Sequence, residues 1–199
     1  MSTVTNVAAT RAPRARSQEP EWLVWLTVGL ALLLGYLLLN MIAGQTRAAT
    51  AGAMTLNYPS TWVPVQSEGA AFSASDRLNG GPFAPTVTLY EMPRTDLLRF
   101  EGGVEEAAAN WTLRKQDDLV GYRLLNVTPV EGRDMLRVDS VYLKDAALGA
   151  SGIPALMRGI DLIRLSGETF YIMSYSVEND QYDSHKGQLD ALLNGWRTP

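Results

Sequence analysis

The sequence predicts an α+β domain behind a single membrane-crossing helix. Three observations carry that reading: a charge-free apolar run near the N-terminus, several strand patterns joined as hairpins, and two amphipathic helical stretches. The run is Trp22–Ala43, WLVWLTVGLALLLGYLLLNMIA, 22 residues without a charge. As a helix it would be about 33 Å long, enough to cross a bilayer core of about 30 Å. Trp22, Trp25 and Asn40 lie near its ends, the two Trp where amphipathic rings favour the headgroup layer. Ala49-Thr50-Ala51 offers a small-x-small pattern for signal cleavage. The apolar run, however, exceeds the roughly 7–15 residues of a signal core, so a retained anchor is expected.

Arg11, Arg14 and Arg16 precede the run, and only Arg47 follows it closely. Positive residues stay cytoplasmic, which puts the N-terminus inside and the C-terminal domain outside the cytoplasm. Residues 1–20 are mostly Ala, Thr, Ser, Arg and Pro, the composition of a disordered tail. The division is then 1–20 cytoplasmic tail, 21–43 transmembrane helix, 44–53 small polar linker and 54–199 extracytoplasmic domain.

Within the domain, Met54–Tyr58 and Trp62–Gln66 read as strands flanking a turn at Pro59, with Ala70–Ala74 a third. Thr86–Met92, TVTLYEM, is rich in β-branched and aromatic residues. YRLLNVTPVEGRDMLRVDSVYL reads as two strands around Glu131-Gly132, with Leu136, Val138 and Tyr142 on one face and Arg137 and Asp139 on the other. LIRLSGETFYIMSYSV is the clearest hairpin, turning at Ser166-Gly167. Its second strand is apolar on both faces, Phe170 and Ile172 against Tyr171, Met173 and Val177, so both sides of the sheet need cover. Val104–Lys115 and Tyr182–Trp196 supply helical stripes, the second through Leu189, Leu192, Leu193 and Trp196. Arg77–Pro85 and Leu148–Leu156 read as loops.

The order of these pieces, with NYPSTW at the start and GETFYIMSYSV before a final amphipathic helix, resembles the PsbP-like family, named for an extrinsic lumenal subunit of photosystem II. The similarity covers roughly Met54–Trp196. It implies a central antiparallel sheet sandwiched by helices. It also implies a non-catalytic protein that docks on a membrane complex, or a small binding protein. Photosynthetic members are usually soluble or lipid-anchored through an N-terminal Cys; this chain has no Cys, and its apolar run takes the anchoring role. A specific photosystem II role does not follow.

Composition excludes several kinds of chemistry. Without Cys there are no disulfides and no thiolate sites. Setting aside Arg11, Arg14, Arg16, Glu19 and Glu21 leaves 14 basic and 19 acidic residues, a net −5, which is no footprint for nucleic acid. Gly80-Gly81 and Gly102-Gly103 make no phosphate loop, so no nucleotide is expected. His185 is the only histidine; beside Asp183 and Ser184 it forms no triad, because consecutive helical residues do not face one another. Glu178, Asp180 and Asp183 lack the spacing of a calcium loop and read as exposed charges at a helix start. No catalytic, cofactor or metal site is expected.

Ala31 and Gly35, small and four apart, would let another helix approach the anchor closely. The expected function is thus a non-catalytic accessory subunit or assembly factor of a larger membrane complex, its partners being other subunits and the lipid bilayer. The alternative is a tethered binding module for a lipid or small apolar ligand, with a pocket bordered by the two loops, Phe83 and Met157.

Overall fold

The computed structural model describes residues 21–43, 45–77, 81–97, 102–145 and 153–199; the expected tail, 1–20, lies outside them. The chain divides into two units at Ala43. In the first, α1 (Glu21–Ala43) forms a helix of 23 residues. No helix among the described residues is long and apolar enough to cross a membrane. The expected transmembrane span over 21–43 is therefore not established by the fold.

The second unit holds two antiparallel sheets. The larger has seven strands in the order β3-β4-β5-β9-β8-β7-β6: β3 (Val63–Pro64), β4 (Phe72–Ser75), β5 (Thr86–Pro93), β6 (Arg123–Pro129), β7 (Leu136–Lys144), β8 (Ala155–Ser166) and β9 (Thr169–Glu178). The smaller joins β1 (Thr46–Ala51), β2 (Met54–Pro59) and β10 (Trp196–Arg197). The helices are α2 (Arg94–Leu97), α3 (Val104–Asp118) and α4 (Tyr182–Gly195).

β9 organises the packing. Phe170 and Ile172 enter a core under α2 and α3 with Leu97, Ala107, Trp111 and Val138. Tyr171, Met173, Tyr175 and Val177 enter the opposite core with α4 and the small sheet, through Leu189, Leu192, Met54 and Leu56. The two-sided apolar pattern thus receives its two covers, and the expected hairpin forms with its turn at Gly167-Glu168, one residue later than expected, Ser166 pairing with Thr169. In β7, Leu136 and Val138 go to the α3 side, while Arg137 and Asp139 point towards α4.

Three local readings need correction. Residues 46–51, expected within a linker, form β1, paired residue for residue with β2. TRAATA carries no bulky apolar side chain, so β1 is formed by hydrogen bonding to β2 and left no hydrophobic signal. Met54–Tyr58 and Trp62–Gln66 do flank a turn after Pro59, but the second strand is shorter than expected and the two join different sheets. β2 goes to the small sheet and β3, only two residues long, to the large one. Trp62 pins the crossing: it is fully buried and stacks on Tyr175 at 6.4 Å between ring centroids. The last helix ends one residue early, and Trp196 opens β10 against Leu56.

The start of α4 is tied to the sheet by charge. Arg137 donates to both carboxylate oxygens of Asp139, each at 2.9 Å, and to the Tyr182 hydroxyl at 3.0 Å. Arg158 lies 3.6 Å from Asp139 and stacks over the Tyr182 ring at 4.1 Å. One nearly buried carboxylate is therefore shared by two guanidinium groups, leaving the cluster one positive charge in excess. Asp139→Asn should cost about 2–4 kcal/mol, the lower part of the range for breaking a buried pair because both arginines are partly exposed; urea unfolding of the purified protein reads it. At the other end of α4, a Cβ on Gly195 would sit 2.9 Å from the backbone oxygen of Asn57. Gly195→Ala should force α4 off β2 and lower stability by about 1–3 kcal/mol, seen as a shift in the urea midpoint at constant slope.

Candidate functional site

Strand alternation assigns every second residue of the large sheet to the α3 side, and those residues change character along the strands. Under α3 they are apolar: Ile163, Phe170, Ile172, Leu136 and Val138. Towards the other end they become hydroxyls on neighbouring strands. Ser73 and Ser75 of β4 face Thr88 and Thr86 of β5, which in turn face Ser174 and Ser176 of β9. Here two adjoining cavities of about 600 and 280 Å³ open on the sheet, sharing Ser67, Thr86, Thr88 and Lys144 in their walls. Together they make one groove in the size range of small-molecule sites.

Much of the hydroxyl wall satisfies itself. Ser73 Oγ lies 3.1 Å from the Val87 carbonyl and 3.0 Å from Thr88 Oγ1. Ser75 donates to the Pro85 carbonyl at 3.1 Å, and Thr86 lies within reach of Ser75 Oγ and the Ala84 carbonyl. Gly159 forms part of the floor; a Cβ there would meet Ser140 Oγ at 2.8 Å and the Tyr142 ring at 3.3 Å. A larger residue would displace both side chains.

The charges of the groove fall into two groups. At its inner end Asp161, 3% exposed, accepts a hydrogen bond from Ser174 and lies 4.0 Å from Lys115 Nζ. Burial opposes the Lys115 charge, but Asp161 and the oxygens of Tyr90, Tyr142 and Tyr122 outweigh it and hold the ammonium above its ordinary range. The ammonium also sits 5.0 Å from the Trp111 ring. Burial pushes the Tyr142 phenol up. At the outer end stand Lys144 and Arg77. Burial pulls the Lys144 ammonium below its ordinary range.

A second surface runs along the side of α3 that faces β6. Ala108, Ala109 and Leu113 of α3 face Leu124, Val127 and Pro129 of β6 across an apolar groove of about 580 Å³. A register shift between Leu124 and Asn126 lets Leu124 and Val127, three apart, share that face. Leu113, Leu124, Leu125 and Val127 are all exposed, and β6 is the last strand of its sheet.

The residues singled out from sequence fall elsewhere. Ala31 and Gly35 lie exposed on α1, with open space around Gly35. His185 Nδ1 is 3.0 Å from the Gln181 carbonyl and 3.1 Å from Ser184 Oγ, whereas Asp183 pairs with Lys186 at 2.9 Å. Glu178 accepts from Gln181. Phe83 does border a shallow depression of about 510 Å³ with Ile153 and Leu156; Met157, expected beside it, is fully buried. Neither groove beside α3 was anticipated. The pairs Ser73/Ser75, Thr86/Thr88 and Ser174/Ser176 were the available signal for the first.

A seven-stranded antiparallel sheet, with helices on one side and a helix plus a small sheet on the other, is the PsbP/Mog1-type α+β fold. The solution structure of cyanobacterial PsbP (CyanoP) from Synechocystis sp. PCC 6803 superposes with a TM-score of 0.54 at 13% identity, covering 78% of this chain and 92% of that one. The Saccharomyces cerevisiae Ran-binding protein Mog1p superposes with a TM-score of 0.51 at 9% identity, covering 77% and 95%. No protein-family model matches the sequence, and neither does any curated protein. At these identities the likeness is one of fold.

The Lys115–Asp161 pair gives a signed prediction. A lysine raised in the folded state contributes stability that is complete below its unfolded value, about 10.4, and is lost as pH rises through the folded value. Asp161→Asn should therefore destabilise by about 1–3 kcal/mol at neutral pH. Chemical denaturation across pH should show that difference constant to about pH 10 and narrowing above.

Proposed function

We propose that the chain is a non-catalytic, single-pass membrane-anchored accessory subunit or assembly factor of a larger membrane protein complex, docking through its transmembrane helix and its extracytoplasmic domain. The observation that carries this reading is the apolar groove between α3 and β6. Leu124, Leu125 and Val127 are 43%, 51% and 40% exposed on the edge strand of the large sheet. In a free chain an apolar edge strand invites aggregation; covered by an apolar ridge of another subunit, it becomes an ordinary interface.

The anchor rests on α1. Its described side chains are exposed all around from Trp22 to Leu38, Trp25 at 75% and Leu32 at 71% among them. A helix apolar on every face needs either protein or lipid around it. The full charge-free run of 22 residues has the length a bilayer asks for. Mog1p, of the same fold, is a Ran-binding protein, which supports a protein partner at the level of fold only. The arginines before α1 support a cytoplasmic N-terminus and an extracytoplasmic domain.

A tethered module for a lipid or small apolar molecule is the second reading, supported by the depression at Phe83, Ile153 and Leu156.

Two measurements test the proposal. Tagged full-length protein, extracted gently from its own membranes, should bring down a stoichiometric membrane complex identifiable by mass spectrometry. Leu124→Glu/Val127→Glu should reduce that recovery at least tenfold, while a cooperative urea transition shows the variant still folded, as side chains 43% and 40% exposed allow. Recovery of the protein alone and monodisperse from wild-type membranes overturns docking. Separately, the chain should resist alkaline carbonate extraction, and deletion of 21–43 should release it; extraction of the intact chain overturns the anchor.

A further inference from the structure

We propose that the hydroxyl-lined groove binds a small oxyanion-bearing ligand, a phosphate ester or carboxylate that also carries hydroxyl groups, held at its charged end by Lys144 and Arg77. Nothing in the accessory-subunit reading requires this site, which lies past the C-terminal end of α3, at Lys115 and Leu119, whereas the apolar groove runs along the β6 side of the helix.

The argument starts from charge. The domain is acidic, 14 basic against 19 acidic residues outside 1–43. The larger cavity runs against that balance: its walls include Arg77 and Lys144 and no carboxylate. The adjoining cavity holds one carboxylate, Asp161, and that one is committed to Lys115 and Ser174. The groove as a whole therefore carries an excess of positive charge. Only three residues of the chain are lysine, and two of them line it.

Hydrogen-bond supply sharpens the choice of ligand. The donors of Ser75 and Thr86, and that of Ser73, have partners within the wall. Those hydroxyls therefore offer a ligand mainly acceptor lone pairs. Among the described residues neither Lys144 nor Arg77 is paired with a carboxylate, so their N–H groups are the strong donors left to offer. A lysine drawn into a groove at a cost to its charge, with no counter-ion from the protein, is satisfied by an anion brought from outside. The spare lone pairs of the hydroxyl wall then accept from hydroxyls of the same ligand. That pairing, an oxyanion at one end and hydroxyls along the other, is the class of ligand the groove fits. A free metabolite and a phosphorylated lipid headgroup both have this chemistry.

The test is isothermal titration of the full-length protein in a non-ionic polyoxyethylene detergent. The probes are glycerol 3-phosphate, citrate, neutral glycerol and short-chain phosphatidylglycerol. At least one of the anionic probes should bind with a Kd below about 1 mM, and glycerol should not bind. Lys144→Met and Arg77→Met should each weaken the bound probe tenfold or more, while Lys186→Met, which removes an exposed lysine paired with Asp183, should leave it unchanged. Lys144→Met removes a charge that burial disfavours, so the variant should fold, as its urea midpoint will report. Tighter binding of phosphatidylglycerol than of glycerol 3-phosphate identifies a headgroup as the source; the reverse order, or binding of citrate, identifies a soluble anion. No binding by any anionic probe, or binding insensitive to both Lys144→Met and Arg77→Met, overturns the proposal. Either result is read separately from the pull-down, which reports on the apolar groove beside β6.

Discussion

The structure depends on one constraint: β9 lies in the middle of its sheet with apolar side chains on both faces. Phe170, Ile172, Met173 and Val177 are fully buried, and Tyr171 and Tyr175 nearly so. At about 1.5–3 kcal/mol for each large apolar side chain removed from water, leaving either face open would cost more than the few kcal/mol by which such a domain is stable. Both covers are thereby required. On one side α4 and the small sheet fill the space; on the other α2 and α3 do. The register of β5, β8 and β9 passes the requirement outward, since each neighbour must match the same two faces.

Where the cover ends, the side chains change. β9 runs from Phe170 and Ile172 on the α3 side to Ser174 and Ser176 on the same side, four residues further along. β5 makes the matching change from Met92 and Tyr90 to Thr88 and Thr86. Charge is handled differently on the two faces. On the α4 face Asp139 is shared by Arg137 and Arg158, and Arg137 fastens Tyr182. On the α3 face Asp161 satisfies Lys115 alone. Lys144 and Arg77, at the outer end of the groove, have no such partner among the described residues.

The parts of the fold legible in the sequence were those that bury apolar surface with a clear period. The β8–β9 hairpin, β5, β7 and the Leu189–Leu192 stripe of α4 all announce themselves in this way. β1 did not, because TRAATA pairs by backbone hydrogen bonds and buries only Ala51. The separation of β2 and β3 into two sheets did not either, since it depends on Trp62 reaching Tyr175 more than 100 residues away in sequence. The hydroxyl groove was hidden for a related reason. A Ser or Thr at every second position reads as a solvent-facing strand, and only the pairing of β4 with β5 and of β5 with β9 brings three such rows together.

The same reasoning limits what fold similarity explains. Two-sided cover of a central strand is what this chain shares with CyanoP and Mog1p, and at 13% and 9% identity it is satisfied by largely different side chains. The cover leaves two places on the α3 side unspecified: the margin beside β6, and the end of the sheet beyond the helix. Neither position is needed to close the core, so what stands there is free to follow function. Apolar residues of β6 are left 40–51% exposed, and an unpaired lysine in a groove is held there against its own solvation. Each runs against the local interest of a free domain. Those departures, rather than the shared sandwich, are where the proposed partner and ligand would act.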